Sequence, residues 1–153
     1  MNYWLFKTEP NTYSIDDLKN EPNKITHWDG IRNYAARNFL RDEVKKGDLV
    51  LIYHSVVKPP QLVGVAKVVK EAYPDHTAFD ANSHYFDPKS KKDNPTWVMV
   101  DIEYVRHLDN PVTLDQIRNT PTLENMVLLK NSRLSIQPVT STEWSIITEM
   151  AKD

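Results

Sequence analysis

The 153-residue chain contains no cysteine, only three glycines and no long apolar run, and each shortage closes off a class of chemistry. Without cysteine there is no disulfide, no thiolate zinc site and no cysteine nucleophile, which fits a reducing compartment. Three glycines leave little material for phosphate-cradling loops, and neither GxGxxG nor GxxxxGK followed by Ser or Thr occurs. The start, MNYWLFKTEP, shows no basic region leading into an apolar segment, and nothing later approaches the roughly 18 apolar residues of a membrane span. The expectation is a soluble, unexported, cytoplasmic protein without a membrane partner. A formal charge of −2 gives no overall pull toward nucleic acid, so an anionic partner must be held by a local patch.

What is present is ordinary in bulk and uneven in detail. Apolar content of 40% and charged content of 26% suit a globular protein, and the length suits one domain over residues 1–153 with a full core. Tyr3–Phe6, Leu49–Tyr53 and Leu62–Val69 read as strands, the last with Gly64 as a bulge or a point of close approach. Trp97–Arg106 is the longest strand, and Leu134–Val139 reads as another. Ser14 with Asp17, Thr113 with Gln116 and Thr140 with Glu143 are capping-box pairs that start short helices. Tyr73–Pro95 has no period and many Pro, Asp and Asn residues, so it reads as a long loop whose aromatics pack on the body. The class is α+β: five to six mostly antiparallel strands closing into a small barrel, with short helices packed around it.

The chain is organised around Ile25–Asp48. Within it WDGIRN, Trp28–Asn33, suits a loop, since Asp and Gly favour turns. The spacing predicts a helix from Ile31. Ile31, Ala35 and Phe39 fall on one face, Asn33, Arg37, Arg41 and Lys45 on another, with Lys45 and Lys46 in the last turn before Gly47. A loop at a helix N-terminus with a guanidinium and a flat ring suits a planar polar or anionic ligand. The alternative is that Trp28 anchors the core and Arg32 pairs with Asp29.

Other chemistry is thinly supported. His76, Asp80 and His84 are spaced by fours, but in a Pro-interrupted loop helical spacing carries no meaning, so no metal site is assigned. His54 and Ser55 are adjacent on a strand and point to opposite faces. No paired carboxylates or triad stand out, so no catalytic residue and no cofactor is assigned. What remains is Lys7, Thr8 and Glu9 at the end of the first strand, WDGIRN, and Tyr53–Ser55. If the first strand and LVLIY are neighbours, these converge at one rim. A Trp face ringed by polar groups is what reading a flipped or single-stranded base requires. Lys7, Arg32, Arg37, Arg41, Lys45 and Lys46 are the candidate phosphate contacts.

Five separated blocks then carry a resemblance over essentially the whole chain: YWLFKTEP at Tyr3–Pro10, WDGIRNYAARN at Trp28–Asn38, KKGDLVLIYHS at Lys45–Ser55, VGVAKVVKEAYPD at Val63–Asp75 and RLSIQPVTSTEW at Arg133–Trp144. Together they resemble the EVE domain of the thymocyte nuclear protein family. The resemblance implies a PUA-like pseudo-barrel, similar in architecture to YTH domains, which hold a methylated adenine in an aromatic cage. It further implies a module that reads a modified base in DNA or RNA, in a pocket lined by Thr8, Glu9, Trp28, Asp29, Arg32, Asn33 and Ser55; a monomer is expected. Where YTH domains carry amides, Glu9 and Asp29 place carboxylates, which accept hydrogen bonds and suit the exocyclic amine of cytosine better than N6-methyladenine. Tyr34, Tyr73 and Trp97 are the candidates for a second aromatic wall. The competing readings are an enzyme that processes a nucleoside or nucleotide with Glu9 or Asp29 as base, and a protein-interaction module using the Tyr73–Pro95 loop.

Overall fold

The computed structural model describes residues 1–152. β1 (Tyr3–Thr8) alternates its side chains to opposite faces, and both faces are buried, so Trp4 and Phe6 enter one core and Leu5 the other. α1 (Ile15–Lys19) starts where expected: Ser14 Oγ accepts from the Asp17 amide at 3.1 Å and Asp17 accepts from the Ser14 amide at 2.8 Å. β2 (Ile25–Trp28) follows, then α2 (Tyr34–Asp42), β3 (Leu49–His54), β4 (Gln61–Pro74) and β5 (Val98–Thr113). α3 (Leu114–Arg118), α4 (Val127–Lys130), β6 (Ile136–Val139) and α5 (Ser141–Met150) complete the chain, with α3 and α5 opened by the two remaining capping boxes. No helix among the described residues is long and apolar enough to cross a membrane.

The strands form one mixed sheet in the order β2-β5-β4-β3-β1-β6. Only β1 and β3 run parallel, and this pairing puts Thr8 opposite His54, as the rim hypothesis required. One core packs Trp4, Phe6, Trp28, Ile52 and Ile102 against Ile15 and Leu18 of α1 and Ala36 and Leu40 of α2. The other packs Leu5, Leu51 and Leu62 against Ile117, Leu128 and Ile147 from α3, α4 and α5. The α+β class and the strand number are as expected, but the sheet does not close: β2 and β6 are its two edges. Residues of the edge strand β2 and Ser135, just ahead of the other edge strand β6, face one cavity, so the sheet curls without sealing. Register shifts along β4 and β5 bend it. One falls at Gly64, where a Cβ would lie 2.7 Å from the Arg106 carbonyl oxygen.

Three local differences matter for the site. Trp28 is the last residue of β2, paired with Val100, and not a loop residue. α2 begins at Tyr34 instead of Ile31 because Asn33 caps it, Oδ1 accepting from the Ala36 amide at 2.9 Å. It ends at Asp42, so Lys45 and Lys46 lie beyond it. There Asp48, almost fully buried, accepts from the Asn2 and Lys45 amides and from the Trp4 indole N–H, tying the first strand to the turn after α2.

Candidate functional site

A cavity of about 720 Å³ opens between the two edges of the sheet. Its walls are Lys7 and Thr8 of β1 with Glu9, Thr12 and Tyr13 beyond it, Thr26, His27 and Trp28 of β2 with Asp29 and Gly30, and Ser135 just ahead of β6. His84 and Tyr85 close it from the long loop. Trp28 belongs to the core and to the cavity at once. It is 8% exposed, its ring centroid 5.6 Å from that of Phe6 and 6.0 Å from that of Tyr13, the latter edge to face. The two readings of Trp28 are therefore not alternatives.

The loop that follows Trp28 is held by one buried carboxylate. Asp75, with no exposed surface, accepts from the Gly30 amide at 2.9 Å, from Arg32 at 3.0 Å and from the Thr77 amide and hydroxyl. Arg32 in turn spends all its guanidinium N–H groups inside the protein, on Asp75, Thr77 Oγ1, the Ile31 carbonyl and twice on the Tyr85 carbonyl. Its planar head lies over the rings of Tyr85 and Trp97, at 5.5 and 5.3 Å. Gly30 has φ of +78°, and a Cβ there would lie 2.6 Å from the Tyr85 ring. Glycine is thus required twice, for the left-handed turn and for the aromatic seated on it.

The sequence-derived site divides accordingly. Lys7, Thr8, Glu9, Trp28 and Asp29 line the cavity. Arg32 does not: it neither pairs with Asp29 nor offers a donor to a ligand, because its donors are consumed by the loop. Asn33 is a helix cap, and Ser55 lies behind Thr8, its amide donating to the Thr8 carbonyl at 3.0 Å. Among the basic residues, Lys7 borders the cavity and donates from Nζ to the Ser132 carbonyl. Arg37 is drawn to the Thr96 carbonyl and lies over the Tyr34 ring, Arg41 is paired with Asp42, and Lys45 is exposed. Tyr34, Tyr73 and Trp97 do not line the cavity. Its further aromatics are Tyr85, one of the long-loop aromatics expected to pack on the body, and Tyr13, which sequence reasoning missed along with Thr12, Glu21, Thr26, His27, His84 and Ser135. His76, Asp80 and His84 do not form a cluster, and His84 packs instead on the Tyr85 ring.

The electrostatics follow from burial. Partial burial, then the nearby Asp75 charge, pushes the Asp29 carboxyl above the usual carboxylate range, with His27 and His76 pulling the other way. Burial alone would push Asp75 up too, but hydrogen bonds from Thr77, Gly30 and Arg32 hold it below that range. Burial raises the Tyr13 hydroxyl to about 12 and lowers Lys7. Tyr13 is therefore a neutral donor, and its hydroxyl reaches Glu21 at 3.1 Å. The cavity thus offers aromatic surface and carboxylate acceptors, with a lone lysine among the lining residues as its fixed cation.

Residues 2–150 match the EVE domain. The chain belongs to the EVE domain family. It is 43% identical to human thymocyte nuclear protein 1, with 97% of this chain and 73% of that protein covered. In three dimensions this EVE domain resembles human THYN1 in complex with DNA containing 5-methylcytosine, with a TM-score of 0.95, 42% identity and coverage of 100% and 99% of the two chains. It also resembles a hypothetical protein of Leishmania major, with a TM-score of 0.93, 46% identity and coverage of 99% and 94%.

Proposed function

We propose that this EVE domain is a binding module that takes a modified cytosine of DNA, 5-methylcytosine in particular, into the cavity between β1 and β2. The observation that carries the reading is the pairing of aromatic surface, Trp28 with Tyr13 edge-on to it and Tyr85 lining the same cavity, with the carboxylates Glu9 and Asp29 at one concave site. A flipped cytosine needs both: ring surface to replace its lost stacking, and an acceptor for its N4 amine. The human relative of nearly identical fold is in complex with DNA containing this base, which favours DNA over RNA and cytosine over adenine. We read the module as acting as a monomer. Thr8 and the Lys7 ammonium supply polar edges, and Lys7 with the exposed Lys45 and the α2 guanidinium groups Arg37 and Arg41 supplies phosphate contacts. The role is read as binding without turnover, in keeping with a relative that is in complex with DNA.

The test is anisotropy of labelled duplexes with one cytosine, 5-methylcytosine or N6-methyladenine, measured on the wild type, Glu9→Gln and Asp29→Asn. The 5-methylcytosine duplex should bind most tightly, and each amide variant should weaken it about tenfold, the loss of one hydrogen bond to a charged acceptor. Equal binding of the unmodified duplex, or tighter binding of N6-methyladenine, would refute the reading. Because Trp28 is also core, Trp28→Ala is a poor probe: loss of a buried aromatic costs about 3 to 5 kcal/mol of stability by itself.

A further inference from the structure

His27, Asp29 and His76 place two imidazole nitrogens and one carboxylate oxygen within 4.8 Å of one another at the rim of the cavity. We propose that they hold a divalent transition-metal ion, of the zinc, cobalt or nickel type, with coordination positions left open toward the cavity mouth. Bonds of about 2.0 to 2.1 Å set ligand atoms about 3.3 Å apart in a tetrahedral site. His27 Nε2 and Asp29 Oδ2 already stand 3.7 Å apart, so closure needs up to about 1.5 Å of movement, chiefly by the exposed His76 side chain. Two imidazoles with one carboxylate are the donors that these ions select, whereas calcium and magnesium would ask for more oxygens.

Two observations support the site. Its halves come from distant parts of the chain, His27 and Asp29 from β2 and its loop, His76 from the turn after β4, and Asp75 locks the two together by binding Gly30, Arg32 and Thr77. The backbone that carries the ligands is therefore fixed before any ion arrives. Second, neither imidazole makes a hydrogen bond among the described residues, and the rings pack edge to face at 5.1 Å with their nitrogens available. A bound dication would answer an imbalance in the cavity, where Glu9, Glu21 and Asp29 face Lys7 alone although the proposed ligand is a polyanion. Its open positions would suit water or a phosphate oxygen of the incoming strand.

The site is tested without nucleic acid, so its failure and that of the reader hypothesis are separable. Metal-free protein is titrated with Zn²⁺ by calorimetry and with Co²⁺ by visible absorption, alongside His76→Asn and the double variant His27→Asn with His76→Asn, each checked for an unchanged thermal melt. One ion per chain is expected, with d–d bands of a low-coordinate cobalt, and affinity should fall at least tenfold in His76→Asn and further in the double variant. No binding by the wild type, or equal binding by the double variant, would overturn the assignment. A second arm measures 5-methylcytosine duplex binding with Zn²⁺ and with EDTA, where a metal-dependent gain would place the phosphate on the ion.

Discussion

Asp29 and Asp75 lie close enough to repel one another, yet their environments push them in opposite directions. Asp75 is fully buried and every hydrogen bond it receives comes from the protein itself. Asp29 is half-buried at a cavity mouth, with the His27 ring at 3.7 Å and His76 near it, against the like charge of Asp75. Burial raises the cost of charge at both, and only at Asp75 has the chain supplied the donors that offset it. A carboxylate whose acceptors are filled holds the fold, and one left short of donors is where a ligand's amine or a cation can contribute.

The contrast can be broken, beginning with its strongest half. Asp75→Asn should cost about 3 kcal/mol in chemical denaturation, since it leaves the enclosed Arg32 guanidinium without its anion, and the Tyr85 loop should become protease-sensitive. Gly30→Ala should cost about 1 to 2 kcal/mol for the left-handed turn and must also displace the Tyr85 ring, so base binding should fall with stability. Asp29→Asn, expected to weaken binding, should leave stability within about 0.5 kcal/mol of wild type, because it removes repulsion from Asp75 and gives up no side-chain donor. The smallest effect is in acid. His54, lowered by burial while its Nε2 accepts the Ile15 amide, contributes stability above the ordinary imidazole range that is lost as pH falls through its folded value. Asp75, also lowered, does the same below the ordinary carboxylate range. Thermal melts should therefore decline in two stages on acidification, and His54→Gln should flatten the first. If Asp29→Asn instead unfolds the protein, the division between the two carboxylates is mistaken.

Much of this could be read from the sequence because it is local. The three capping boxes, the Gly64 bulge and the β1–β3 rim depend on residues close in sequence or on continuous apolar runs. β2 escaped because ITHW is four residues with two polar ones, too short to show a period, and its strand character comes from pairing with β5. The roles of Arg32 and Asn33 were misread for different reasons. Asn33 followed a helix start misplaced by three residues, whereas the partner of Arg32 is 43 residues away in a proline-rich loop. Tyr85 was legible only as a loop aromatic that packs on the body, since nothing near it in sequence announces that Gly30 will lie beneath its ring.

The unclosed sheet sets the gauge of the slot. Because β2 and β6 meet no partner on their outer sides among the described residues, the separation of the cavity walls is a mechanical property of the whole curl, set by bends in β4 and β5, none of whose residues lines the cavity. The site behaves like the gap of a split ring: straightening the ring anywhere widens the gap. The width of the slot is thus set partly by residues such as Gly64 that do not line it.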